Sequence, residues 1–161
     1  MRKSSVVAIL SLSILSAVFI SGCNQNEQNM QGGVTSEKDG SMCALDTING
    51  APAVPVTKIK QPATLTVAGW AVDRHNGTAP SEVSIELVSV DGKERVTGAV
   101  RRGTKRPDVA KVYNDPAFAG GGFDGGVNVD KAKPGRYSIR IVQKSGATSL
   151  SCDLKRAVEI Q

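Results

Sequence analysis

The chain of 161 residues holds one histidine, His75, inside the short stretch His75-Asn76-Gly77. A catalytic serine or cysteine needs a base close enough to activate it. A lone imidazole in a loop-like segment is thin provision for that, and no Gly-x-Ser-x-Gly elbow occurs. Carboxylates are more plentiful. Asp73, Asp108, Asp115 and Asp124 could supply the acid and base of a glycosidase, so polysaccharide hydrolysis is one function class to weigh. The cluster Ala119-Gly120-Gly121-Gly122 lacks a following Lys-Ser/Thr and indicates no phosphate loop. It reads instead as a flexible loop or bulge. The cysteines show no Cys-x-x-Cys spacing, and with one histidine a zinc site would lack ligands. The expectation is therefore no catalytic residue, no cofactor and no metal: a chain that is not an enzyme.

The elements that would carry these residues read as short strands. Residues 64–72 and 83–90 both alternate with a period near two, and the second run ends at Asp91-Gly92, a strong hairpin signal. Residues 95–100 continue as the returning arm. Residues 127–129 follow the glycines, Pro134-Gly135 is a turn, and 137–142 alternate again. Ser145-Gly146 turns the chain before 148–152, and 157–160 could close the sheet. Pro107, the nearby Asp108 and apolar spacing of three to four predict one short helix over 107–113. Many short strands separated by turn signals indicate a sandwich or barrel.

The N-terminus is of another kind. Arg2 and Lys3 make a positive start, and residues 6–20 are apolar apart from small serines. About 15 such residues are too few for a spanning helix, which needs about 20. Ile20-Ser21-Gly22-Cys23 follows. This resembles the lipobox of bacterial lipoproteins: an aliphatic residue, two small residues, then cysteine. The resemblance implies cleavage between Gly22 and Cys23 and thioether attachment of diacylglycerol to Cys23. It also implies a further acyl chain (palmitate or similar) on the new N-terminus. Ile20 is a departure, leucine being commoner there. The competing reading is an ordinary signal peptide or an uncleaved anchor, with Cys23 a plain thiol. Asn24, rather than aspartate, resembles the default sorting of Gram-negative lipoproteins, so the expected location is the cell envelope, at the outer membrane. Residues 24–42 are polar and rich in Asn, Gln and Gly, and cannot bury enough surface to offset ordering. They read as a tether reaching roughly 25 Å, which leaves residues 43–161 as the folded domain.

With Cys23 committed to lipid, Cys43 and Cys152 remain, and in an oxidising compartment they should pair. The whole-chain charge of +5 falls to about +3 once Arg2 and Lys3 are removed. That excess is too small to imply nucleic acid. The densest basic stretch, Arg101, Arg102, Lys105 and Arg106, reads as a solvated loop, or otherwise as a contact surface for anionic lipid or polysaccharide.

Four short motifs occur in a recognisable order: Gly69-Trp70-Ala71-Val72-Asp73, Arg106-Pro107-Asp108-Val109, Gly122-Phe123 and Pro134-Gly135-Arg136-Tyr137. Together they resemble an immunoglobulin-like β-sandwich module of bacterial cell-surface proteins and some glycosyltransferases. The likeness spans roughly residues 64–143. The chain departs from it in standing alone behind a lipid anchor and in its Cys43 and Cys152 pair. The resemblance implies an all-β, immunoglobulin-like sandwich with one short helix, and an accessory role without catalytic residues. Trp70, the sole tryptophan, is expected in the core, or else as an exposed sugar-stacking platform. Asp108 is expected to cap the helix, and Arg106 to pair with Asp73 or Asp124. Trp70, Asp73, Arg106, Asp108 and Phe123 are thus the candidate structural or ligand contacts. The functional expectation is a membrane-anchored, non-catalytic envelope lipoprotein that binds a protein or glycan. The alternatives are an inhibitory or defensive lipoprotein, acting on lysozyme or phage, and a polysaccharide hydrolase.

Overall fold

A computed structural model describes residues 35–36, 41–145 and 148–161. The expected signal, the lipobox-like stretch with Cys23 and most of the expected tether lie outside the described residues. Ten strands form: β1 (Thr35–Ser36), β2 (Ser41–Ile48), β3 (Ala51–Pro52), β4 (Val56–Ile59), β5 (Thr64–Asp73), β6 (Glu82–Ser89), β7 (Arg95–Thr104), β8 (Gly122–Asn128), β9 (Gly135–Ser145) and β10 (Thr148–Ile160). Between β7 and β8 lie the helix α1 (Pro107–Tyr113) and a 3-10 turn (Pro116–Gly120). Two strand segments fall where a bare tether was expected. β1 pairs with Cys43 and Met42, and β2 begins at Ser41.

One sheet holds all ten strands in the order β1-β2-β5-β8-β7-β6-β9-β10-β4, with β3 added to β2. Every pairing is antiparallel except β10 with β4. The protein is therefore mostly β, built on a single curled mixed sheet. The curl brings β2 round to β10, which are not neighbours in the hydrogen-bonded order. There Cys43 and Cys152 form a disulfide, with Cα atoms 6.3 Å apart.

Alternation fills the inside. Leu65 and Val67 of β5, Ile85 and Leu87 of β6, Val127 of β8, Tyr137, Ile139 and Ile141 of β9 and both cysteines are buried in one cluster. Phe123 joins them, 1% exposed. Large apolar side chains at every second position leave the sheet no other face to hide them on. A second, smaller cluster lies on the outer face of β2 and β5. There Met42, Ala44, Trp70 and Val72 are covered by Val109 of α1 and Phe118 of the 3-10 turn. This is why β5 is buried on both faces from Gly69 onward. Trp70, at 4% exposed, is a packing residue under a helical cap. The alternative of an open sugar-stacking platform is set aside.

Two glycines of the run, Gly121 and Gly122, are closely packed. Gly120 ends the 3-10 turn, and Gly122 begins β8. A Cβ on Gly122 would lie 2.3 Å from the Thr104 carbonyl oxygen, and one on Gly121 would lie 2.6 Å from Val72. Arg101 and Arg102, expected in a solvated loop, belong to β7. At the other end of β9 the Pro134-Gly135 turn leads into the strand, where the Tyr137 hydroxyl reaches the Lys133 carbonyl oxygen at 2.9 Å and Glu94 Oε2 at 2.7 Å. Burial and the Glu94 carboxylate push the Tyr137 phenol up to about 12. Among the described residues, no helix is long and apolar enough to cross a membrane.

Candidate functional site

Period-two alternation continues past the last apolar residue of four strands. The inward series of β7 is Val96, Gly98, Val100 and then Arg102. That of β9 is Tyr137, Ile139, Ile141 and then Gln143, that of β5 ends at Asp73, and that of β2 begins at Ser41. Ser41 lies opposite Asp73 in the register. One end of the curled sheet's interior is therefore lined by a polar layer, one pleat beyond the disulfide. Ser41, Asp73 and Gln143 are the only buried polar residues among those described, at 0%, 1% and 0% exposed.

Arg102 organises this layer. Its Nε donates to the Pro80 carbonyl oxygen at 2.8 Å. Nη1 donates to the Ala71 carbonyl oxygen at 2.7 Å and to that of Gly121. Nη2 donates to Gln143 Oε1 at 3.1 Å. Gln143 Nε2 passes the network on to Ser41 Oγ at 3.0 Å and the Val72 carbonyl oxygen at 3.2 Å. All four acceptors of the guanidinium are neutral oxygens. Burial lowers its pKa to about 10, so it stays charged near neutrality. A fixed fork of donors suits this task, since its geometry can span several oxygens at once.

The acceptors show what the arginine holds. Ala71 and Pro80 are the two stems of the β5–β6 connection, and Gly121 is the junction between the helical cap and β8. Further bonds fix the connection itself. Asp73 and Thr78 exchange backbone hydrogen bonds at 2.8 and 3.0 Å. The Asp73 carboxylate accepts from the Asn76 backbone N–H at 3.1 Å and from Asn76 Nδ2 at 2.6 Å. Gly77 takes a φ of +60°, which a side chain would resist. The result is a rigid tip that presents Arg74, His75 and Asn76 to solvent.

The cap beside the tip is pinned in its own way. Pro107 opens α1, but Arg106 occupies the N-cap position and no side chain caps the helix. Asp108 is thus not the expected cap. It receives Arg106 instead (Nη2 to Oδ2, 2.7 Å), while Arg106 Nη1 reaches Asp46 Oδ2 at 2.5 Å. Asp46 and Asp108, rather than Asp73 or Asp124, are the partners of Arg106. Hydrogen bonding to Arg106 lowers the Asp108 pKa to about 2. Asn114 ends α1 in the left-handed conformation, and Asp115 caps the 3-10 turn through the Ala117 N–H at 3.0 Å. Tyr113 rests against Trp70, with ring centroids 5.7 Å apart, and against Phe118 at 6.2 Å.

The sequence-derived candidates thus scatter. Trp70 and Phe123 lie in separate clusters on opposite faces of the sheet. Arg106 and Asp108 meet on the cap. Asp124 is outside, paired with Arg101 at 2.7 Å and Thr104 at 3.1 Å. Of the candidates only Asp73 belongs to the polar end layer. Gln143 and Ser41 were not singled out, and Arg102 was read only as part of a basic loop or contact surface, although extending the alternation by one step from Val100 and Ile141 places Arg102 and Gln143 inside. No group of three or more metal-ligating side chains occurs among the described residues. Comparison with known proteins brings no match to a family model, to a curated protein or to a solved structure.

Proposed function

We propose that this chain is a lipid-anchored envelope protein whose β-domain is a non-catalytic binding module for a protein or glycan, with the β5–β6 tip and the adjoining cap as its binding end. The observation that carries this reading is the Arg102 lock. A half-buried guanidinium is committed to holding the stems of one exposed loop and the base of its neighbour. Loops fixed in this way on a rigid scaffold are common sites of recognition, and fixing them beforehand lowers the entropy lost on binding.

Two further features support the reading. The Cys43–Cys152 disulfide suits export to an oxidising compartment, in keeping with the lipobox-like Ile20-Ser21-Gly22-Cys23 and the outer-membrane sorting suggested by Asn24. The Tyr137 hydroxyl turned back to the Lys133 carbonyl oxygen is the arrangement of a tyrosine corner in immunoglobulin-like sandwiches. It favours that class as the finer description of the curled sheet.

The test is crosslinking in intact envelopes followed by purification of the chain. A reproducible crosslinked partner, lost when Cys23→Ala releases the chain from the membrane, is the expected result. No reproducible partner from native envelopes would contradict the binding role.

A further inference from the structure

An asparagine followed by glycine loses its side-chain amide more readily than other asparagines, because the glycine nitrogen that attacks it has no Cβ beside it to obstruct the approach. The chain holds two such pairs, Asn49-Gly50 and Asn76-Gly77. Both lie in turns, and both asparagines are exposed. Neither glycine uses its N–H in a hydrogen bond among the described residues.

Their surroundings separate them. Asn49 Oδ1 accepts from the Thr66 N–H at 2.9 Å, and no carboxylate meets its amide. Asn76 Nδ2 donates to Asp73 Oδ2 at 2.6 Å, while Asp73 Oδ1 takes the Asn76 backbone N–H at 3.1 Å. Asp73 is 1% exposed, and among the described residues it has no ion-pair partner. Nor has Asp115, whose Oδ2 lies 3.7 Å from where a Cβ on Gly77 would stand. Arg102, behind the stems, is committed to carbonyl oxygens and Gln143. The order of this tip therefore depends on Asn76 presenting a donor to Asp73.

We propose that Asn76 is a site of spontaneous deamidation whose product unlocks the β5–β6 tip. The Gly77 nitrogen gives its proton to water and attacks Asn76 Cγ. The Cγ–Nδ2 bond then breaks as Nδ2, protonated by water, departs as ammonia. The Asp73 carboxylate lies against that nitrogen and stabilises the charge it carries while protonated. Water opens the resulting cyclic imide at either carbonyl, leaving aspartate or isoaspartate. Either product undoes the lock. Aspartate sets a second carboxylate against the buried one of Asp73, and like charges so close repel. Isoaspartate adds a methylene to the main chain inside the loop that the Asp73–Thr78 backbone pair closes. At Asn49 the change is harmless, because the Thr66 N–H needs only an oxygen acceptor. Resting on the binding-module reading, deamidation of Asn76 is an irreversible off-switch set by the age of the molecule.

The membrane-extracted full chain would be held in mildly alkaline buffer, sampled over days, digested, and mapped by mass at both Asn-Gly pairs. The expected result is faster loss of amide at Asn76 than at Asn49, with Asp73→Asn slowing the Asn76 rate towards that of Asn49. An Asn76 rate no faster than that of Asn49, or one that Asp73→Asn leaves unchanged or raises, overturns the inference. Trypsin cleavage after Arg74 measures the lock, because the bond must open from the folded tip to be cut. Cleavage should run about tenfold faster in Asn76→Asp, the equivalent of a single pKa unit of repulsion, and at the native rate in Asn49→Asp. Native-like cleavage of Asn76→Asp overturns the unlocking. Neither readout needs a partner, so failure of the crosslinking test removes the binding role and leaves this chemistry standing. Capture of a partner as efficiently by Asn76→Asp as by the native chain overturns the off-switch and leaves the binding role.

Discussion

At the scale of single residues, Arg102 does the most. A buried ion pair can often be replaced by apolar side chains at little cost, because both charges leave together. Here the partners are three main-chain carbonyls and Gln143, and three of the four cannot be removed by mutation. Arg102→Met should therefore cost about 3 kcal/mol in urea unfolding, since it strands buried acceptors. Arg102→Lys should recover little of that, because one ammonium cannot span the fork. A methionine variant as stable as the native chain would show that the arginine is not a lock. Tyr137 gives a second test. Its phenol is raised from near 10 to about 12, so the stability tied to its neutral form is complete below pH 10 and is lost as pH rises through 12. Arg102, lowered to about 10, acts in the opposite sense over the same window. The informative quantity is therefore the difference between the native chain and Tyr137→Phe. The native chain should lose stability more steeply between pH 10 and 12, and parallel profiles would contradict the assignment.

At the scale of elements, the glycines of the sheet mark where strands crowd one another. A Cβ on Gly98 of β7 would lie 2.6 Å from the Gly126 carbonyl oxygen and 2.9 Å from Val127 Cα, both main-chain atoms of β8. Gly98→Ala should destabilise by about 1–3 kcal/mol. Gly120→Ala, which meets nothing within 4 Å, should stay within about 0.5 kcal/mol. Chemical denaturation of the two variants compares them directly, and equal stabilities would contradict the packing described. The same crowding explains what the sequence concealed. Strands β5, β6 and β9 and helix α1 were legible because their apolar periods are local and uninterrupted. The first half of β8, from Gly122 to Gly126, was not. Glycine there serves close approach by Val100 and Thr104, and that need exists only after the partners have assembled. Strand β4 is four residues long and pairs in parallel with the far C-terminal strand β10, so its evidence is non-local. The polar end layer was half legible. Arg102 and Gln143 could be placed by alternation, whereas the hydrogen bonds from Arg102 to Ala71, Pro80 and Gly121 depend on how the sheet curls.

At the scale of the whole molecule, the disulfide ties β2 to β10, which strand pairing leaves unjoined, through cysteines 109 residues apart in sequence. In the chain-entropy account a loop of about 100 residues contributes up to about 4.7 kcal/mol. Reduction should therefore lower the thermal midpoint by about 10–20 °C, as measured by calorimetry with and without reductant. An unchanged midpoint would mean that packing alone holds β2 against β10. The account as a whole rests on a chain that is exported, acylated at Cys23 and oxidised between Cys43 and Cys152. The intact mass of the membrane-extracted protein, before and after reduction and alkylation, tests this most directly. The predicted result is the mass of residues 23–161 plus acyl chains, with two alkylatable thiols appearing only on reduction. An unacylated mass, or an uncleaved N-terminus, would contradict the anchor and with it the envelope setting in which the binding end is proposed to work.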